Sequence, residues 1–315
     1  MYFGQAAIDY LAAEVVKSDA GASSHWQKFH SDFHFTGNGF QGLQGFGGCD
    51  DPYRGLRFGL HRLLQSKFRR MGQRFPRFQE IDGLASDIVS KQHRAYDLDV
   101  LRQTCTLAFL GDTIPCALQT KTTACVIGDG FGSMTALLLA SRSAGRVILV
   151  DLAKTLLVDL WYLKEWMGDK TFASSVELVT SEEGLARALA PLLPAVSFQV
   201  IAIQASNHEL LRQCPVDLVM NIASMQEMDP PVIGAYFDDL RAIASHRQLL
   251  FYCCNREEKT LPDGTVTRFA AYPWRKGDQI LTDELCPWHQ KYYSARPPFY
   301  RPYDGPIRHR LVRLA

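Results

Sequence analysis

Val126-Ile-Gly-Asp-Gly-Phe-Gly-Ser-Met134, followed by Arg146-Val-Ile-Leu-Val-Asp151, is the stretch that decides the fold. It reads as a buried strand, a glycine-rich turn, a helix, and a second buried strand that ends on a carboxylate. In a βαβ unit of this kind the glycines let a ligand approach the backbone, and the acid accepts hydrogen bonds from ribose hydroxyls. The unit therefore points to an adenosine-type cofactor, and the glycine spacing narrows the choice. Gly128, Gly130 and Gly132 give G-x-G-x-G, and Ser133 stands where a dinucleotide fingerprint places its last glycine. A pyrophosphate needs that glycine for close helix–strand packing. S-adenosylmethionine has no pyrophosphate, so the tighter turn favours it over a nicotinamide dinucleotide.

Outward from this unit, strand-like runs at 123–128, 146–150, 198–203, 216–221 and 248–254 alternate with helical stretches at 133–142, 153–167, 182–190 and 232–245. Such alternation implies βαβ units and a mostly parallel sheet, with ligands at the carboxyl ends of the strands. Residues 308–314 read as a final strand, expected to be antiparallel and slotted into that sheet. The expected class is thus α/β, a Rossmann-like sheet with an N-terminal helical region. That region, 1–112, has helical periodicity at 5–17 and 84–110. Between these lie a glycine-rich loop from Thr36 to Gly48 and a run from Arg54 to Arg77 with eight Lys or Arg and no acid. The cofactor domain is expected over 113–315, with an aromatic- and proline-rich segment at 256–307.

The chain has 315 residues and a net charge of +1, so no global field draws it to nucleic acid or a membrane. Its eight cysteines show no C-x-x-C pairing and no His/Cys ligand spacing, and reduced thiols without a metal are expected. No apolar run is long enough for a bilayer and no signal-peptide pattern opens the sequence, so a cytoplasmic location is expected.

Gly128, Asp129, Gly130 and Gly132 are expected beneath the cofactor, with Asp151 and the following Leu152 at its ribose. Asp151 stands about 20 residues beyond the glycine turn, as a ribose-binding acid should. Val126 occupies a position where an acid is usual in methyl-donor sites; Asp129 either substitutes for it or caps the helix that follows. Gln204, at the end of the third run, either bonds an adenine amine or belongs to a loop. Asn221, polar at the end of a buried strand, is read as a cofactor contact, because an unpaired buried amide is costly. Glu227 and His289 are the candidates for orienting or deprotonating an acceptor hydroxyl. Glu227 is equally read as a helix cap, and His289 as structural. Tyr272, Trp274, Trp288, Tyr292 and Tyr300 either stack on sugar faces or pack a lid. The Arg54–Arg77 run reads as a solvated helix face that permits an anionic acceptor.

Ile127-Gly-Asp-Gly-Phe-Gly132, Leu149-Val-Asp151, Asn221-Ile-Ala-Ser-Met-Gln-Glu-Met228 and Phe251-Tyr-Cys-Cys-Asn255 together resemble a bacterial family of sugar O-methyltransferases found with surface-polysaccharide genes. The resemblance runs from about residue 122 to 256. It implies the class I methyltransferase fold with S-adenosylmethionine as donor, cofactor contacts at Gly128, Gly130, Gly132 and Asp151, and a donor–acceptor boundary at Asn221 and Glu227. The acceptor is then a small molecule or glycan held by the N-terminal helices, the Thr36–Gly48 loop and the aromatic segment. The rival readings are methylation of RNA or a small metabolite, a nicotinamide-dependent oxidoreductase, and a non-catalytic binding protein of the same fold.

Overall fold

The structure, a computed structural model, describes residues 1–15, 22–43, 52–190 and 198–315. Nine strands form its main sheet: β1 (Tyr2–Phe3), β2 (Thr123–Ile127), β3 (Arg146–Asp151), β4 (Val176–Val179), β5 (Gln199–Gln204), β6 (Leu218–Ile222), β7 (Leu249–Arg256), β8 (Gln279–Leu285) and β9 (Ile307–Leu314). Their spatial order is β1-β4-β5-β3-β2-β6-β7-β9-β8. The six strands from β4 to β7 run parallel. β9 is antiparallel to both β7 and β8, and β1 is antiparallel to β4. This is the expected Rossmann-like sheet, mostly parallel with an antiparallel C-terminal strand.

The central strands form where they do because both their faces are covered. Every residue of β2 and β5 is buried, and such strands read as continuous apolar runs rather than alternating ones. One face carries α1 (Gln5–Glu14), α3 (Gly55–Gly72), α4 (Phe78–Lys91), α5 (Leu98–Thr113), α6 (Ser133–Ala140) and α7 (Ala153–Met167). Ile8, Phe68, Ile81, Leu101, Leu137 and Leu156 from these helices share one apolar layer with Val147 and Leu149 of β3. From the segment expected as a cover region, Ile8, Phe68, Ile81 and Leu101 thus pack into the same layer as the sheet residues. The opposite face is covered by α9 (Glu182–Ala188) and α10 (Pro230–Ala244), with Leu185, Tyr236 and Leu240 packed on Ile148 and Ile201.

The structure differs from the expectation in three respects. The segment read as one helix over 84–110 is two, α4 and α5. Asp97 accepts hydrogen bonds from the backbone N–H groups of Asp99 and Val100 at 3.0 Å each, starting a new helix, and His93 just before it has a positive φ of 54°. Strands β4 and β8, and the two-residue β1, were not expected. The aromatic segment contains, besides β8, two short ribbons: Glu258–Thr260 with Val266–Arg268, and Lys291–Tyr293 with Tyr300–Pro302.

Candidate functional site

The sheet reverses its winding between β2 and β6, and at such a switch point a crevice opens beyond the carboxyl ends of the strands. A cavity of about 470 Å³ lies there, within the range of small-molecule sites. Gly128, Asp129 and Gly130 border it after β2, Asp151 and Leu152 after β3, and Ser224 to Met228, Met225 excepted, after β6.

Two glycines of the turn have separate tasks. Gly128 has φ +76°, and a Cβ on it would lie 2.1 Å from Ser224 Oγ, so its absence lets the β6 rim close against the turn. Gly132 has φ +62°, and a Cβ there would meet Leu163 Cγ at 2.8 Å. Its N–H donates to Asp159 Oδ1 at 2.8 Å. Gly132, expected as a cofactor contact, is instead packed against α7 and is absent from the cavity lining. Asp129 accepts from the backbone N–H groups of Met134 (2.9 Å) and Thr135 (2.8 Å). It caps α6, the second of the two roles left open for it. Val126 lies in the apolar core.

Asp159 on α7 was not anticipated by the sequence, since nothing in Thr155-Leu-Leu-Val-Asp159 distinguishes an acid on a buried helical face. It is fully buried; burial first, then the neighbouring Asp151 and Asp129, raise its pKa well above the carboxyl range. Asp151 lines the cavity and accepts from the Leu152 N–H at 2.8 Å.

Beyond β5 the cavity meets Ala205, Ser206 and His208; Gln204, read either as an adenine contact or as part of a loop, is not in its lining. The chain turns into a 3-10 segment after Gln204, and it is the residues of this turn that face inward. His208 Nδ1 lies 2.5 Å from Asp239 Oδ2, and Arg212 Nε donates to Asp239 Oδ1 at 2.6 Å. The hydrogen bond with Asp239 raises the His208 pKa against the effect of burial. Ile222, Val232, Ala235 and Tyr236 make an apolar wall beside it, suited to a flat heteroaromatic ring.

Asn221, expected as a cofactor contact, is instead fully buried and off the cavity lining, with its amide used internally. Its Nδ2 donates to Ile127 O at 2.9 Å and to Ser224 Oγ at 2.6 Å. Its Oδ1 accepts from Met225 N at 3.1 Å and from Asn255 Nδ2 at 2.8 Å. Polarity at a buried strand end was legible; the partner was not.

Glu227 does line the cavity. Its carboxylate lies 2.7 Å from Lys259 Nζ and 3.4 Å from Nε2 of His25, which stands on α2 (Ser24–Phe29). Burial acts to raise its pKa, but His25 and the Lys259 ammonium outweigh it and hold the carboxyl below the usual range. Glu227 is thus an anion fixed by two cation-capable partners, neither of which sequence spacing could associate with it. The helix-capping role is not seen: α10 begins with Asp229 before Pro230, and no side chain caps it.

His289 also lines the cavity, beside Tyr303, Asp99, Arg102 and Gln103. Burial, then the charges of Arg102 and His309, push its pKa well below 6.5, so it is neutral at pH 7. None of the aromatic residues singled out by sequence lines the cavity. Tyr272 and Trp274 sit with Phe237 on the far face, Trp288 is buried, Tyr300 bonds Leu64 O at 2.9 Å, and Tyr292 is off the cavity. The cavity's aromatic walls are Trp26, Tyr236 and Tyr303. Residues 36–43 of the glycine-rich loop do not line it, and 44–48 lie outside the described residues. The basic run is not one solvated face: Arg69 is buried against Asp82, and Arg77 bonds Glu80 and Ser141 O.

No family profile and no curated protein matches the sequence. Among solved structures, the chain overlaps TrmK of M. capricolum in complex with S-adenosylhomocysteine, at 10% identity and a TM-score of 0.35. The overlap spans 63% of this chain and 64% of that one. It overlaps a mitomycin 7-O-methyltransferase at 15% identity and a TM-score of 0.34, over 68% of this chain and 57% of that one. It overlaps magnesium protoporphyrin IX methyltransferase of Synechocystis with bound S-adenosylhomocysteine at 16% identity and a TM-score of 0.35, over 84% and 96%. The chain thus spans under two thirds of the first two proteins, and the fold assignment rests on strand order itself.

Described helices include none long and apolar enough to cross a membrane.

Proposed function

We propose that the chain is an S-adenosylmethionine-dependent O-methyltransferase acting on a hydroxyl of a sugar or glycoconjugate. One observation carries this reading: Gly128, Asp129 and Gly130 on one strand end and Asp151 on the next border a single cavity at the switch point. That cavity continues past the β6 rim to a polar end. Asp151 fits the ribose hydroxyls, and the apolar wall beside His208 fits adenine. The G-x-G-x-G spacing and the capping role of Asp129 suit a ligand without pyrophosphate.

Glu227, Gln103, Asp99 and Ser23 line the cavity together with Trp26 and Tyr303. Carboxylates and amides beside aromatic faces match a polyhydroxylated ring. In the reaction the acceptor oxygen attacks the methyl carbon as the carbon–sulfur bond breaks, releasing neutral S-adenosylhomocysteine. Glu227, held ionised, accepts the hydroxyl hydrogen bond and the proton as the new bond forms. Calorimetry with S-adenosylhomocysteine tests the donor half. Binding is expected in the wild type and weakened by on the order of tenfold or more in Asp151→Ala, given that each cofactor hydrogen bond to a charged group contributes roughly 1.5–3 kcal/mol. No binding by the wild type overturns the donor assignment. Methyl transfer to RNA or to an aglycone, but to no sugar of a panel, overturns the acceptor.

A further inference from the structure

We infer that Cys254, Cys286 and His289 form a zinc(II) site in the wall of the cavity. The two thiol sulfurs and an imidazole nitrogen lie within 4.8 Å of one another, and all three residues are buried. In a tetrahedral zinc site with sulfur ligands at about 2.3 Å, neighbouring ligand atoms stand roughly 3.7 Å apart, so small side-chain adjustments close the set. His289 Nε2 is buried without a hydrogen-bond partner, a costly state for a polar atom that a metal removes. Two thiolates also cancel the ion's charge, which permits burial where a lone cation would not be tolerated. Sulfur and imidazole ligands select zinc over magnesium or calcium.

The backbone bearing the ligands is already fixed. Cys254 belongs to β7; Cys286 follows directly on β8, and its carbonyl accepts from His289 N at 3.1 Å and from Gln290 Nε2 at 2.9 Å. Between them Trp288 is anchored at both ends: its Nε1 donates to Thr106 Oγ1 at 3.0 Å, and its carbonyl accepts from Arg102 Nε at 3.3 Å. Such outer contacts are what hold metal ligands in register. Three protein ligands leave a fourth position for water or a ligand oxygen, and His289 places the site at the cavity. The sequence carries Cys286-x-x-His289, a short spacing that the expectation of no His/Cys ligand set left out because Cys254 joins it only through the fold. The inference does not depend on methyl transfer.

The test uses the reduced full-length chain, titrated with zinc chloride and separately with cobalt(II) chloride. One equivalent of zinc should bind with release of a proton from each thiol. Cobalt should give a thiolate charge-transfer band and tetrahedral d–d bands. Cys254→Ser, Cys286→Ser and His289→Ala should each lose on the order of 100-fold in zinc affinity, because even outer-shell changes cost 10–100-fold. Cys116→Ser, at an exposed cysteine, should lose none. Absence of the charge-transfer band in the wild type overturns the site, and so does an equal loss in Cys116→Ser. The wild-type cobalt spectrum decides the matter if a ligand variant does not fold.

Discussion

Asn255 donates its side-chain amide to Asn221 Oδ1 at 2.8 Å, and both side chains are fully buried. Asn255 Oδ1 in turn accepts from Gln226 N at 3.0 Å, while Asn221 Nδ2 reaches Ile127 O. This pair ties the carboxyl ends of β2, β6 and β7 together and sets the rim on which Glu227 stands. Asn221→Ala should leave Met225 N unpaired and Asn255 Nδ2 with only the Cys253 sulfur as acceptor, and cost about 1–3 kcal/mol, the range for one buried orphan. Urea unfolding measures this, and a loss under about 1 kcal/mol would contradict the network.

Asp129 supplies the only side-chain cap described for α6. Asp129→Ala should lower stability by about 1–2 kcal/mol, the cost of an N-cap deletion. Asp129→Asn, which keeps an acceptor oxygen, should recover part of it. Equal unfolding midpoints for the alanine variant and the wild type would remove Asp129 from this role.

The His208–Asp239 contact makes stability depend on pH. The folded-state pKa of His208 lies above its ordinary 6.5, so its contribution is complete below about pH 6.5. It is lost as pH rises through the folded value. The contribution should be on the order of 1 kcal/mol or less, because the ring is partly exposed. His208→Gln should flatten the fall in unfolding free energy on the alkaline side of neutrality. A slope unchanged by the substitution would assign it to another group.

Glu227 is kept ionised by His25 and Lys259, so its role is lost only as pH falls through a depressed pKa. Lys259→Met removes one of those cations. The acid limb of methyl transfer should then move to higher pH. Glu227→Gln should lower kcat by about 100-fold, the scale of a lost general base. An acid limb that stays in place in Lys259→Met would show that Glu227 is not the group titrating.

The sequence showed the central strands because burial on both faces demands unbroken apolar runs, as in Ala124–Ile127 and Val147–Val150. It did not show β8, whose Gln279-Ile-Leu-Thr-Asp-Glu-Leu285 is mostly exposed at a sheet edge and follows no apolar alternation. Val176-Glu-Leu-Val179 is too short to stand apart from the helix before it. At the site, Gly128 and Asp151 were legible because one local unit carries both. Asp159, His208 and the Glu227–Lys259–His25 cluster were not, because each gains its meaning from a partner brought in by another element. Asn221 shows the same limit from the other side. Its polarity was visible, but only the fold reveals that Asn255 consumes it.

β9 comes last of the nine strands in the chain yet lies inside the sheet, between β7 and β8. On a chain emerging in order, β7 and β8 both wait with an open hydrogen-bonding edge until β9 arrives and satisfies them together. Such an interval exposes two sticky ladders, and it is where misassembly between molecules would start. Cys254, Cys286 and His289 come from the two waiting strands and the loop after them, so β9 also completes the wall in which they stand.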